Sequence, residues 1–435
     1  MKTEVRVVVV GNVDSGKSTL VGVLSKGTND DGRGLARGYV FNYDHERESG
    51  RTSSIAHEIM GFREDGRQVL PERLTEAKNT MWDKVVRASS HIVSLLDLCG
   101  HERYLKTTMF GLVGLMPDYA VIVVGANSGI TRITKEHLGL ALALKLPIIL
   151  AVSKVDIAPA AICDQTVASL SKVMRTPGAG SRLPMVIRED DDMQQIAAGL
   201  EGNVTPIFLV SSVTGQGVGK LRELLRVLPQ RGVQSGQVGK PEDPVELHID
   251  ATYNAVGVGI VVAGVLRAGT IRINQVVLLG PDGNGAFKPV SVRGIHFNRT
   301  AVEIATPGQS YCLAIKARSR GDQLTRSSFR KGMMLADVNF KPTAIWEFDA
   351  EVVILHHATT IRENYQSMVH TGVVRQAAKV VSLSKAPMST GDKGLVRFRF
   401  MYSPEVVRPG AVLLFREGKT KGLGVISSVY VPASP

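Results

Sequence analysis

Cysteine is scarce in this chain: three residues in 435, Cys99, Cys163 and Cys312, none close to another in sequence. That spacing excludes a disulfide framework and a cysteine-built zinc site. Long apolar runs are also missing. The longest, such as 119–126, are far too short to span a bilayer, so no membrane association is expected. The N-terminus passes from Met-Lys-Thr-Glu straight into a valine run, without the small-residue cleavage site of a secretory leader. A reducing, cytoplasmic setting is the expectation from these absences. Internal repeats and low-complexity tracts are lacking too, which argues against a repeat array.

What is present suits a soluble, multidomain protein. Hydrophobic residues make up 44% and charged residues 21%, enough to bury cores and remain dissolved. At roughly 150 residues per domain the length implies about three domains. The net charge is +12, unevenly spread: residues 1–240 carry 29 Lys and Arg against 25 Asp and Glu, and residues 241–435 carry 23 against 15. The C-terminal excess suits either solubility or a polyanionic partner, for which nucleic acid is the usual choice.

Two textures divide the chain. Up to about residue 228, short apolar runs at 5–10, 91–98, 119–125, 147–152 and 206–210 alternate with helical patterns at 17–24, 135–144 and 218–228. Nearly continuous apolar strands of this kind predict a mostly parallel sheet with helices on both faces, an α/β domain over 1–228. Residues 27–54 read as a long irregular loop that needs a role to exist, and 176–203 as an inserted surface segment. A Gly/Gln/Pro linker follows at 229–243. Beyond it, Val- and Ile-rich strands recur every 8–12 residues, with turn signals at Pro281-Asp-Gly-Asn-Gly285 and Thr390-Gly-Asp392. They predict two all-β domains, barrel or sandwich, at 244–341 and 342–435, divided near Lys341-Pro342.

The first apolar run leads into Gly11, Asn12, Val13, Asp14, Ser15, Gly16, Lys17 and Ser18, then Thr19 and a helix. This is the G-x-x-x-x-G-K-S pattern in its strand–loop–helix setting. Its glycines let backbone N–H groups converge on phosphate oxygens at a helix N-terminus. Lys17 is placed to reach the terminal phosphates and the Ser18 hydroxyl to ligate Mg²⁺. After the second run comes Asp97-Leu-Cys-Gly100-His101. A strand-end Asp97 suits Mg²⁺, the Gly100 amide suits a γ-phosphate, and His101 suits a water-positioning role. Ser153-Lys154-Val-Asp156 ends the run at 147–152, and Ser211-Ser212-Val213 ends the one at 206–210. The Asp156 carboxylate can accept from guanine N1–H and its 2-amino group, a donor pair adenine lacks. The Lys154 stem can cover the base, and a backbone N–H of the later loop can meet O6.

In their order and strand-end placement, these motifs resemble the translation-factor-type GTPases related to elongation factors Tu and 1-alpha, over nearly the whole chain. Within that superfamily the chain is most similar to the eukaryotic group of GTP-binding proteins 1 and 2. The residues carrying this closer likeness are 11–18, Ser49-Gly-Arg-Thr-Ser-Ser54, 97–101, Tyr104-Leu-Lys-Thr-Thr108, 135–143 and Leu414-Phe-Arg-Glu-Gly418, while Arg320-Gly-Asp322 and His370-Thr-Gly372 resemble the two β-barrels of elongation factors.

The resemblance implies a P-loop GTPase domain followed by two β-barrels, GTP or GDP with Mg²⁺ as ligands, and a monomer. It implies Thr52 as the threonine sensing Mg²⁺ and γ-phosphate, His101 as the catalytic histidine, and a monovalent cation near Asp14. Ser18, Thr52 and Asp97 would then surround the metal. Partners would be the ribosome, tRNA or mRNA, with the GTP-held form released on hydrolysis. Members of the group often carry an N-terminal extension ahead of the phosphate loop, so this sequence reads as a shortened form.

Three positions depart from the superfamily pattern. Ser153 replaces the usual Asn, which is expected to remove a tie to the phosphate loop and weaken nucleotide binding. Cys99 replaces a common Pro, so the second switch is expected to start less rigidly. Arg51 replaces an apolar residue thought to gate water beside Val13. It leaves two options open: a cation acting in phosphoryl transfer, or a side chain facing outward. The basic stretch 316–331, with six Lys and Arg and one acidic residue, suits RNA contact or a solvated loop. Two other functions fit the same motifs: a GTPase subunit regulating a metabolic enzyme, as in sulfate-activating complexes, or a binding module that no longer hydrolyses GTP.

Overall fold

The computed structural model describes residues 2–74, 76–234, 238–318, 324–330, 332–340, 342–357, 359–417 and 420–431. Arg320-Gly-Asp322, Lys331, Lys341, Gly418 and residues 235–237 of the expected linker lie outside the described residues. The chain folds as two compact units that part after Gly232.

The first unit is built on eight strands: β1 (Thr3–Gly11), β2 (Ala56–Phe62), β3 (Gln68–Val69), β4 (His91–Asp97), β5 (Tyr119–Gly125), β6 (Ile148–Ser153), β7 (Leu183–Val186) and β8 (Val204–Val210). Among the described residues the strands are accompanied by helices α1 (Lys17–Lys26), α2 (Leu35–Gly38), α3 (Asp44–Ser49), α4 (Lys78–Ala88), α5 (Leu105–Gly114), α6 (Arg132–Ala143), α7 (Ala160–Met174), α8 (Met193–Leu200) and, after the last strand, α9 (Val218–Val227). The sheet order is β3-β2-β4-β1-β5-β6-β8-β7. The strands from β4 to β7 in that order pair in parallel, while β2 and β3 add an antiparallel edge. Apolar residues at consecutive positions, Val7 to Val10, are all buried because helices cover both faces.

The strand ends fall in register. Val9 pairs with Asp97, Gly11 with Val123, Gly125 with Ser153, and Ser153 with Val210. Every phosphate- and base-directed motif therefore opens at one edge of the sheet, the C-terminal edge where α/β folds bind ligands.

Two expectations are corrected here. Residues 27–54 hold two short helices, α2 and α3, in place of an unbroken irregular loop. Buried acceptors organise them: Asp30 takes the amides of Gly32, Gly34 and Ala36. The segment 176–203 is part of the core structure, not an insertion. It supplies edge strand β7 and helix α8, whose Met193, Ile196, Ala197 and Leu200 join the main hydrophobic cluster. The acidic run before α8 ends in its cap, since Asp192 accepts the amide of Gln194.

The second unit holds two closed antiparallel barrels. The first comprises β9 (Glu246–Ala255), β10 (Gly259–Ala268), β11 (Ile271–Arg272), β12 (Val276–Gly280), β13 (Lys288–Phe297), β14 (Thr300–Val302), β15 (Ile304–Ala305), β16 (Ser310–Ala317) and β17 (Met334–Ala336). It closes through six of these, β12-β17-β9-β10-β16-β13, because β12 pairs with both β17 and β13. The second runs β18 (Glu347–His356), β19 (Gln366–Thr371), β20 (Val374–Leu383), β21 (Lys393–Phe400), β22 (Val412–Glu417) and β23 (Thr420–Tyr430), in the order β18-β21-β20-β19-β22-β23. Its core stacks Phe348, Phe398, Phe400 and Phe415. Two ion pairs join the barrels: Arg330 to Glu405 at 2.6 Å and Arg408 to Glu246 at 2.5 Å. The expected α/β domain followed by all-β barrels is the architecture found.

Candidate functional site

Between β1 and α1 the chain turns sharply around residues 12–16. Gly16 caps α1 in the left-handed region at φ 81°, where a side chain would be strained. Asp14 is also left-handed at φ 58°. Its exposed side chain lines a pocket together with Val13, Gly16, Lys17, Ser18 and Thr19. Asn12 and Ser15 shape the turn from behind. The Lys17 Nζ donates to the Asn12 carbonyl at 2.7 Å, and the Ser15 amide donates to the same oxygen at 3.4 Å.

The opposite wall comes from two other segments. Thr52 and Arg51 reach the pocket from the 27–54 segment, and Gly100 and His101 from the loop after β4. Gly100 is an obligatory glycine: a Cβ there would lie 2.5 Å from Lys17 Nζ and 2.8 Å from the Asn12 carbonyl. Its backbone thus backs directly onto the phosphate loop.

Three predicted metal-directed side chains converge here, Ser18 and Thr52 lining the pocket and Asp97 buried beside them. The Ser18 hydroxyl donates to Asp97 Oδ2 at 2.5 Å and lies 2.8 Å from the Thr52 hydroxyl, and Thr52 donates to the same Oδ2 at 3.4 Å. Asp97 Oδ1 is buried with no hydrogen-bond partner among the described residues. Burial pushes the Asp97 carboxyl up to about 6, against the opposing pull of the Lys17 charge and the two hydroxyls. Burial likewise lowers Lys17, with Asp97 opposing. An orphaned carboxylate oxygen beside two hydroxyls is an all-oxygen donor set of the kind a hard divalent ion takes. Among the described residues no three His, Cys, Asp or Glu side chains form a metal cluster. An ion here would need hydroxyls and ligand oxygens to complete its shell.

His101 is exposed at the pocket mouth. Its Nδ1 accepts the Arg103 amide at 3.0 Å, which fixes the ring's orientation. Cys99, beneath it, donates to the Ser54 carbonyl at 3.3 Å, and its thiol is pushed up to about 12, chiefly by burial. The carbonyl of Cys99 accepts from Thr108 at 2.8 Å. The start of this loop is therefore tied through both the thiol and the carbonyl of Cys99.

Ser153 also differs from expectation. Its buried hydroxyl donates to the Ser15 carbonyl at 2.6 Å, so the tie to the phosphate loop exists without an Asn. A shorter side chain suffices because β6 ends immediately beside the loop. Lys154 follows in the left-handed region at φ 62°, and Asp156 is exposed. The Ser211 hydroxyl accepts the amides of Val213 and Thr214, bending the second base-directed loop, and the Ser212 carbonyl accepts from Asp30. β6 and β8 are hydrogen-bonded neighbours, so these two loops emerge side by side, separate from the phosphate pocket.

Two important residues carried no signal in the sequence. Glu46 is fully buried and accepts six hydrogen bonds. The amides of Asn42 and Tyr43 point at Oε2, and the amides and hydroxyls of Ser53 and Ser54 at Oε1. It fixes the segment carrying Thr52. Arg37 lines the phosphate pocket from α2.

The family described as the Elongation factor Tu GTP binding domain matches residues 2–230. The chain belongs to this family. It is a translation-factor-like GTPase, 43% identical over 427 residues to GTP-binding protein 1 of Xenopus laevis, covering 98% of this chain and 63% of that protein. It is 42% identical over 431 residues to GTP-binding protein 2 of Mus musculus, covering 98% and 69%. The chain thus spans about two thirds of the length of these relatives. Among solved structures, the bacterial selenocysteine-specific elongation factor EF-Sec matches 98% of this chain and 58% of its own, with a TM-score of 0.68 and 18% identity. That likeness supports the shared fold of GTPase domain and barrels. No helix among the described residues is long and apolar enough to cross a membrane.

Proposed function

We propose that the chain is a GTP-hydrolysing switch of translation-factor type that binds GTP with Mg²⁺ and acts in the cytoplasm with RNA or the ribosome. The observation that carries it is the meeting of Ser18, Thr52 and Asp97 beneath the phosphate loop. One residue from each of three segments meets there, an arrangement that supports a switch in which they would sense a terminal phosphate.

In this reading the amides of residues 13–18 cradle the phosphates, Lys17 neutralises them, and the Gly100 amide reads the γ-phosphate. Ser18 and Thr52 would hold Mg²⁺, with Asp97 Oδ1 behind them, and the ion would offset phosphate charge. Asp14 would face a monovalent cation. His101 accepts on Nδ1, so its neutral ring carries the proton on Nε2. That nitrogen donates to an attacking water or a phosphate oxygen. It orients and does not remove the water's proton. Lys154 and Asp156 would hold guanine, with Ser211, Ser212 and Val213 closing on O6.

The proposed division is a GTP domain at 1–228, a linker at 229–243 and barrels at 244–341 and 342–435. The barrels would carry the polyanion contact. Lys316, Arg318 and Arg326 are exposed, which supports that reading. Arg330 is engaged with Glu405 and is not available for it.

The test is GTP turnover with and without purified ribosomes and aminoacyl-tRNA at two salt concentrations. Stimulation by ribosomes that weakens with salt is expected. Turnover indifferent to both would overturn the translation role and favour a metabolic partner.

A further inference from the structure

Two arginines line the phosphate pocket, Arg37 and Arg51, and they are held very differently. Arg51 projects from the exposed segment before Thr52. Arg37 sits in a built slot. Its helix, α2, is pinned by the buried Asp30 carboxylate, which accepts the amides of Gly34 and Ala36. The Asp30 amide in turn donates to the Ser212 carbonyl at 2.8 Å. On α1, a Cβ at Gly22 would lie 2.2 Å from the Ala36 carbonyl, so the two helices approach as closely as backbone allows. The guanidinium then lies between two further glycines. A Cβ on Gly34 would stand 2.3 Å from Arg37 Nε, and one on Gly50 would stand 3.2 Å from Nη1. Gly50 precedes Thr52 by two residues, and Thr52 already meets Ser18 at the pocket floor. No ion pair to the Arg37 guanidinium occurs among the described residues.

We propose that Arg37 is a phosphate-facing cation in GTP hydrolysis, supplied in cis and held in the Gly34–Gly50 slot. This rests on the GTPase reading above. In hydrolysis the bond between the γ-phosphorus and the β–γ bridging oxygen breaks while a water oxygen bonds to that phosphorus. GDP leaves with the bridging electron pair, and the water's proton passes to phosphate or solvent. Negative charge spreads over the γ oxygens and the bridging oxygen as this happens. Lys17 supplies one positive charge from the phosphate loop. Arg37 supplies a second from the far side of the pocket, with a planar fork suited to two phosphate oxygens. Because it reaches the pocket beside Gly50, it distinguishes GTP from GDP together with Thr52.

Arg37→Ala, Arg37→Lys and Arg51→Ala test this in the intact chain. Single-turnover GTP hydrolysis without ribosomes is measured, together with affinity for GDP and for a non-hydrolysable GTP analogue. Arg37→Ala is expected to slow hydrolysis by at least about tenfold and to weaken the analogue severalfold, with GDP affinity within about twofold of the parent. Arg37→Lys should restore part of the analogue affinity but little of the rate, since the charge returns without the fork. Parental hydrolysis by Arg37→Ala would overturn the proposal, and a loss confined to Arg51→Ala would assign the cation to Arg51. An equal loss of GDP and analogue binding would make Arg37 a prop for the loop. A parent chain that hydrolyses no GTP would sink the GTPase reading instead. The analogue-to-GDP affinity ratio would then still decide whether Arg37 faces the terminal phosphate.

Discussion

The Ser153 hydroxyl donates to the Ser15 carbonyl at 2.6 Å, linking the end of β6 to the phosphate loop. One buried bond thus joins the base-directed loop to the phosphate-directed one. Ser153→Ala leaves the Ser15 carbonyl short of this donor and should weaken both GTP and GDP, by about 1 kcal/mol or roughly fivefold. Titration calorimetry with each nucleotide checks this. Unchanged affinity would mean that the tie contributes nothing to binding.

In the proposed reading Asp156, which stands exposed two residues after Lys154, would select guanine. Asp156→Asn exchanges an acceptor-only carboxylate for an amide with donors. GTP affinity should fall by about two orders of magnitude, and preference should move toward xanthine nucleotides, which present an acceptor in place of the 2-amino group. Competition between GTP and XTP reads the outcome. Equal GTP binding by parent and variant would remove Asp156 from the base site.

Glu46 gathers six donors in the segment that carries Thr52, and these hydrogen bonds hold its carboxyl below the usual range despite its burial. Glu46→Gln turns an NH₂ group against some of them, a local cost of about 2 kcal/mol or more. The expected result is faster tryptic cleavage after Arg47 and Arg51, with little change in the melting of the β-barrel unit. Parental cleavage kinetics would show that other contacts hold the segment.

His137, on α6, is buried, and its ring is lowered to about 4 by burial first and the Lys17 charge second. A lowered histidine favours the folded state when neutral. Between its unfolded value and about pH 4 the unfolded chain binds more protons, so stability is full above pH 6.5 and falls as pH drops through that window. The loss attributable to this ring is about 3 kcal/mol. His137→Leu should flatten the slope between pH 6.5 and 4. Urea unfolding followed by Trp82 fluorescence, in a Trp346→Phe background, measures it, and a slope as steep as the parent's would place the acid sensitivity elsewhere.

Much of the site was legible because its chemistry is contiguous. Gly11 to Ser18, Asp97 to His101 and Ser153 to Asp156 each follow an apolar run, and the sheet register brings those strand ends to one edge. Strand β2 and helix α8 were not legible. β2 mixes polar residues into its run, Glu58 among them, buried and paired with Lys26 at 2.7 Å. Helix α8 is short and hidden behind a glycine- and acid-rich stretch whose last member, Asp192, is its cap.

By itself the sequence determined the nucleotide-binding turn, the parallel sheet behind it and the all-β texture that follows. Local backbone preference and the period of buried residues are properties of neighbouring positions. Only the tertiary structure decided that Ser153 reaches Ser15 across 138 residues, that Glu46 closes on Ser53 and Ser54, and that Arg37 lies between Gly34 and Gly50. A hydroxyl, a carboxylate or a guanidinium has no fixed partner in a sequence. Its partner is set by which strand ends and helices the fold places within hydrogen-bond reach, and by burial that makes an unpaired polar group costly.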